Sequence, residues 1–142
     1  SAAVASRAVY EAFWSDDPGA ALMHGPTYMA NPLACAAANA SLDLFEDGGW
    51  AANVTRVGAA LAEGLEPCRD GKGGIDVRTL GAIGVVEFDA PVAVGELCAR
   101  FADLGAWIRP MGKVIYLTPA FTTPDQDLAL LTLAVRKGIG VG

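Results

Sequence analysis

The chain has 142 residues, 53% of them hydrophobic, a usual length for one globular domain with a sizeable core. Ten Lys plus Arg against sixteen Asp plus Glu leave a formal charge of −6 with no basic block, which argues against nucleic acid, whose phosphates are held by clustered Lys and Arg. No apolar stretch approaches the roughly 20 residues that span a bilayer, and no signal segment is visible, so the expectation is a cytoplasmic protein with no membrane partner.

Ser1 to Trp14 is alanine-rich and helix-prone. Its opening run, Ser1-Ala2-Ala3-Val4-Ala5, reads as the interior of a helix, which predicts a piece of a longer protein. Ser15-Asp16-Asp17-Pro18-Gly19 breaks that helix with turn residues. His24-Gly25-Pro26-Thr27 is a loop, too rich in Gly and Pro to continue a helix. Asn31 as N-cap and Pro32 at the first helical position start a long helix, with Leu33, Ala37, Ala40 and Leu44 on one face. It ends near Asp47-Gly48-Gly49.

A second helix over roughly Ala51 to Leu65 carries the stripe Val54, Val57, Leu61 and Leu65 and stops before Pro67. After the flexible Asp70-Gly71-Lys72-Gly73-Gly74 stretch, Asp76 to Thr79 and Ile83 to Asp89 predict two strands joined around Gly81. Pro91 opens a helix bearing Val94, Leu97, Cys98, Phe101 and Leu104, with Gly105 as its C-terminal glycine. Ala106-Trp107-Ile108 and Val114-Ile115-Tyr116-Leu117 predict short strands flanking a turn at Pro110-Met111-Gly112, so Arg109 leaves the sheet beside that turn. Thr123 as N-cap, Pro124 and Gln126 form a capping box. The helix they start buries Leu128, Leu131 and Val135 and closes at Gly138. Cys35, Cys68 and Cys98 form an odd set without Cys-x-x-Cys spacing, and there is one histidine. Reduced thiols packed as small hydrophobes are expected, and no metal site.

Leu22-Met23-His24-Gly25-Pro26-Thr27-Tyr28-Met29-Ala30-Asn31-Pro32-Leu33-Ala34-Cys35-Ala36-Ala37 resembles the stretch that follows the cofactor-binding lysine in class III aminotransferases. Gly81-Ala82-Ile83-Gly84-Val85-Val86-Glu87, Trp107-Ile108-Arg109-Pro110 and Val114-Ile115-Tyr116-Leu117 resemble the biotin-pathway branch of that family. The resemblance extends over residues 1–142 and is diffuse at 50–75 and 120–142. Where the family shows Pro-Pro-Tyr, this chain has Pro119-Ala120-Phe121.

The resemblance implies an α/β fold, the C-terminal portion of a fold-type-I pyridoxal-phosphate-dependent transferase. Residues 1–49 would be the end of the cofactor-binding large domain with its connecting helix, and residues 50–142 the α+β small domain. It implies pyridoxal 5'-phosphate as cofactor and a homodimer with active sites at the subunit interface. The implied activity is amino transfer from S-adenosylmethionine to 8-amino-7-oxononanoate, giving 7,8-diaminononanoate in biotin biosynthesis. The Schiff-base lysine would precede Ser1, since none of Lys72, Lys113 and Lys137 matches it, and no catalytic residue is expected within this chain.

Residue by residue, Pro26 and Thr27 match positions that reach across the dimer to the cofactor phosphate, Gly25 matches a backbone position beside the substrate, and Arg109 matches the arginine that binds the substrate carboxylate. The chemistry agrees: a hydroxyl and a main-chain N–H suit a phosphate, and a guanidinium fork suits a carboxylate. From the residues alone, His24 to Thr27 read first as a surface turn, with His24 in a structural hydrogen bond. Arg109 reads first as an internal ion pair, and Tyr116 equally as core or pocket wall. Two other functions stay open: a different class III ω-aminotransferase, and a free-standing α+β interaction module over residues 50–142.

Overall fold

The computed structural model describes residues 2–73 and 75–141. Ser1 of the expected opening helix and Gly74 of the glycine-rich stretch lie outside these described residues. The chain divides between Asp47 and Gly48 into two compact units.

The first unit contains α1 (Arg7–Phe13), a short 3-10 turn (Pro18–Ala20) and α2 (Pro32–Glu46). Helix α1 begins later than the alanine content predicts. Ser6 is extended (φ −71°, ψ 161°) and its hydroxyl accepts the Val9 N–H at 3.4 Å. A capping serine fixes the start of a helix, whereas alanine propensity is only a weak prior, so residues 2–5 are not the helix interior that was expected. Asn31 does cap α2, its Oδ1 accepting from Leu33 N–H at 3.0 Å and Ala34 N–H at 3.1 Å. None of the described residues of this unit is buried, and Leu33, Ala37, Ala40 and Leu44 are all exposed. Cys35 is exposed too, so packing inside the protein holds for Cys68 and partly for Cys98 only.

The second unit is a three-stranded antiparallel sheet in the order β1 (Asp76–Leu80), β2 (Ile83–Glu87), β3 (Val114–Leu117), with α3 (Trp50–Leu65), α4 (Val94–Asp103) and α5 (Asp125–Gly138). Val77 pairs with Val86 and Val86 with Ile115; all three are buried on one face of the sheet. They join Val57, Leu61 and Leu65 of α3 and Leu128 and Val135 of α5 in one core. Each such side chain contributes about 1.5–3 kcal/mol when fully buried. Cys68 lies within this core, and burial pushes its thiol up to about 11 against the opposing effect of Arg136. It is therefore protonated and inert at neutral pH.

Three predicted helix boundaries move, and one predicted strand is absent. Pro91 does not open α4, because the Val92 N–H is committed to the Gly112 carbonyl at 2.9 Å, and the helix starts at Val94. Gly105 does close it: at φ +80° its N–H reaches Ala102 O at 2.9 Å while Ala106 N–H reaches Phe101 O at 2.9 Å, the paired bonds of a glycine-terminated helix. Ala106–Ile108 is not a strand, since it pairs with no strand among the described residues. The capping box at Thr123 does not form. Pro124 (φ −63°, ψ 153°) takes the cap position without a side-chain bond. Closure of α5 passes from Gly138 to Gly140 (φ +80°), whose N–H bonds Lys137 O at 3.1 Å, with Val141 N–H on Arg136 O at 2.8 Å.

Gly58 on α3 faces the carbonyl of Gly81 in the β1–β2 turn so closely that an added Cβ would strike it. A main-chain carbonyl in a tight turn (Gly81 φ +55°) cannot swing aside like a side chain. Gly58→Ala in the full-length protein should therefore cost about 1–3 kcal/mol through overpacking, read as a lower urea midpoint at constant slope. An unchanged midpoint would mean that α3 and the turn separate freely.

Candidate functional site

In the first unit, Gly25, Pro26 and Thr27 enter a turn that precedes α2. Met29 N–H donates to Pro26 O at 2.9 Å and Asn31 N–H to Tyr28 O at 3.2 Å. Ala30 adopts φ +56°, a left-handed conformation uncommon for alanine, to complete the turn. These bonds occupy Met29 and Asn31, and Asn31 itself occupies the first amides of α2. The Thr27 N–H and hydroxyl have no partner among the described residues, and Thr27 is exposed. Two adjacent unpaired donors on one residue fit an anion such as a phosphate. A Cβ on Gly25 would meet nothing within 4 Å, so no contact inside the chain demands glycine there. The expected structural hydrogen bond of His24 is absent: among the described residues its N–H donates to Leu22 O at 2.8 Å, and its imidazole bonds to nothing.

In the second unit, the residues after α4 alternate: Ala106, Ile108 and Pro110 are buried, while Trp107 (90% exposed) and Arg109 face outward. The chain then reverses through reciprocal bonds between Met111 and Val114 at 2.8 and 2.9 Å, with Gly112 at φ +59°. That tight turn fixes where Arg109 leaves the core. Arg109 lines a cavity of about 280 Å³ together with Ile108, Tyr116, Leu117, Thr118, Pro119, Leu131 and Trp107. Ile108 and Leu117 supply apolar wall. Tyr116, opposite Val85 in the sheet, is exposed and borders this cavity rather than packing in the core.

The ion-pair alternative for Arg109 finds no support in the charges of this unit. Glu87 is already bonded by Lys113 at 2.7 Å and Arg78 at 2.5 Å, and Arg78 also holds Asp76 at 2.7 Å. Lys113 first, then Arg78, keep the Glu87 carboxyl below the usual carboxylate range. Among the described residues Arg109 has neither an ion pair nor a hydrogen bond. An unpaired guanidinium lining a partly apolar cavity has the chemistry to take a carboxylate or phosphate.

The sequence gives no sign that Leu117, Thr118 and Leu131 line this cavity; Leu131, expected in the buried stripe of the last helix, is only partly buried. Of the lysines, Lys113 is engaged by Glu87, while Lys72 and Lys137 are exposed. Among the described residues no cluster of His, Cys, Asp and Glu could hold a metal ion, and no helix is long and apolar enough to cross a membrane.

Comparison with known proteins gives this geometry a context. The family described as aminotransferase class-III matches residues 1–139. The adenosylmethionine-8-amino-7-oxononanoate aminotransferase of Corynebacterium glutamicum is 46% identical over 121 residues, covering 85% of this chain and 29% of that protein. The chain therefore spans less than a third of that relative's length. The solved structure of the Methanocaldococcus jannaschii protein of the same name superposes with a TM-score of 0.75 at 26% identity, covering 92% of this chain and 33% of that one. An amine transaminase from an uncultivated Pseudomonas species, solved in a PLP-bound form, gives a TM-score of 0.70 at 28% identity over 83% of this chain and 29% of the other. The shared fold is α/β, and the chain belongs to the class III aminotransferase family.

Proposed function

We propose that this chain is the C-terminal part of a pyridoxal-phosphate-dependent aminotransferase. The complete protein would move an amino group from S-adenosylmethionine to 8-amino-7-oxononanoate, the biotin-pathway step, as a cytoplasmic homodimer. The observation that carries the proposal is Arg109, an unpaired guanidinium lining a cavity with apolar wall, in a chain 46% identical to a relative bearing that enzyme's name. On this reading the first unit ends the cofactor-binding domain and the second is the small domain.

Each residue then has a stated task. Arg109 takes the acceptor carboxylate in its planar fork and so orients the distant amino or keto carbon. Ile108 and Leu117 keep water away from that pair, which strengthens it. Thr27 donates its hydroxyl and N–H to the cofactor phosphate of the other subunit. Pro26 fixes the backbone ahead of it, and Gly25 leaves room for substrate beside the main chain. Pyridoxal phosphate, when bound, supplies the electron sink for amino transfer. The lysine that holds it is assigned to the polypeptide preceding this chain. The exposed apolar side chains of the first unit, among them Trp14, Met23, Tyr28 and Leu33, supply surface for a subunit interface.

The likeness to an amine transaminase favours one competing reading, an ω-amine donor. The full-length protein, supplied with pyridoxal phosphate, 8-amino-7-oxononanoate and S-adenosylmethionine, should accumulate the diamine by mass spectrometry. An ω-amine should not replace S-adenosylmethionine as donor. Transfer from an ω-amine to pyruvate, with none to 8-amino-7-oxononanoate, would assign the competing function instead.

A further inference from the structure

We propose that Arg56 is a positioning residue for the carboxylate site, holding from α3 the backbone that forms one wall of the Arg109 cavity. This rests on the reading of Arg109 as the carboxylate receptor. The wall is the connection between β3 and α5, residues 118–124, of which Thr118 and Pro119 line the cavity. This connection belongs to neither helix nor sheet, and its one internal main-chain bond runs from Thr123 N–H to Ala120 O at 3.0 Å. A segment with so few bonds of its own takes its course from whatever grips it.

Arg56 is that grip. One terminal nitrogen donates to the carbonyls of Phe121 at 3.1 Å and Thr123 at 3.0 Å, and the other bonds Asp125 Oδ1. A single planar guanidinium therefore fixes three points within five residues, on a side chain 35% exposed. The pair with Asp125 alone would be weak at such exposure, whereas the two carbonyl bonds act directly on the main chain. Carbonyls do not depend on side-chain identity. The grip on Phe121 and Thr123 therefore needs no particular side chain at either position, and Pro119, two residues before the first, lines the cavity.

The test compares the acceptor acid with its methyl ester in the full-length holoenzyme. Arg56→Met keeps side-chain length and removes every donor. It should raise KM for the acid about tenfold, the loss expected for one charge-assisted bond acting indirectly, with kcat, KM for the ester and bound cofactor near wild type. Arg56→Lys, which keeps the charge without the fork, should recover part of the loss. Asp125→Asn, which weakens the ion pair and spares both carbonyl bonds, should leave KM near wild type.

An unchanged acid KM in Arg56→Met overturns the inference. So does a parallel loss for acid, ester and cofactor content, since that is the behaviour of a residue that only stabilises the fold. If Arg56→Met is recovered unfolded, Arg56→Lys decides on the same readings. Arg109→Ala separates the two levels. If it abolishes the preference for acid while Arg56→Met does nothing, only Arg56 is misassigned; if Arg109→Ala leaves the preference intact, the carboxylate site itself falls.

Discussion

Arg109→Ala in the full-length enzyme is expected to cut kcat/KM for the carboxylate-bearing acceptor by roughly thirtyfold to several thousandfold while the cofactor stays bound. The lower bound corresponds to about 2 kcal/mol and the upper to about 5 kcal/mol, the range for truncating one partner of a hydrogen-bonded charged pair that bound substrate closes off from water. Position explains why the effect should be confined to substrate. Arg109 has no ion pair or hydrogen bond among the described residues, so its removal strands no described carboxylate and breaks no described polar contact. Its neighbours Ile108 and Pro110 are buried and hold the backbone whether or not the guanidinium is present. Arg109→Lys should recover only part of the loss, because an ammonium keeps the charge without the fork. The methyl ester of the acceptor gives the decisive contrast, having no anion to hold. Wild type should prefer the acid strongly, and Arg109→Ala should lose most of that preference. An acid-to-ester ratio equal to that of wild type would withdraw the carboxylate assignment.

The elements that sequence reveals best are those whose cause is local. Asn31 before Pro32 predicts a helix start because its side-chain oxygen needs only the next two amides, and both bonds form. Gly105 predicts a helix end because a left-handed residue is needed there, and it adopts φ +80°. Of the stripe Val54, Val57, Leu61 and Leu65, the last three are buried and Val54 partly so, since helical spacing aligns them on one face. Ala106–Ile108 marks the limit of pattern. All three side chains are apolar, yet Ala106 and Ile108 are buried while Trp107 is exposed, and no strand among the described residues pairs with the segment.

Tertiary contacts are invisible to the same patterns. Thr123, Pro124 and Gln126 have the spacing of a capping box, but the connection they end is held by Arg56, whose partners lie 65 to 69 residues further along the chain. On α3 alone Arg56 is an ordinary solvated arginine. The open state of Arg109 was equally beyond sequence. Glu87 could have been its counter-ion, and only the fold shows that Lys113 and Arg78 take that carboxylate first. Thr27 was legible through its neighbours rather than its own chemistry, since Gly and Pro declare a turn without declaring which donors remain unpaired.

Thr27→Ala should weaken retention of pyridoxal phosphate by about 1.5–3 kcal/mol, the contribution of a hydrogen bond to a charged group, or roughly tenfold to somewhat over a hundredfold in Kd. Thr27 is exposed and its hydroxyl bonds nothing within the described residues, so the folded subunit should unfold at the same midpoint. Thr27→Ser, which keeps the hydroxyl, should retain most of the affinity. The direction of the contact follows from mixed dimers. When a Thr27→Ala subunit is paired with one whose cofactor lysine is replaced, the only competent lysine sits in the Thr27→Ala subunit. If Thr27 reaches across, that site receives its threonine from the intact partner and should bind cofactor as tightly as wild type. When both changes are placed in one subunit and paired with wild type, the competent site faces the missing hydroxyl and should bind weakly. The opposite pattern, weak binding in the first pairing and normal binding in the second, would place Thr27 in its own subunit's site and remove the cross-dimer assignment.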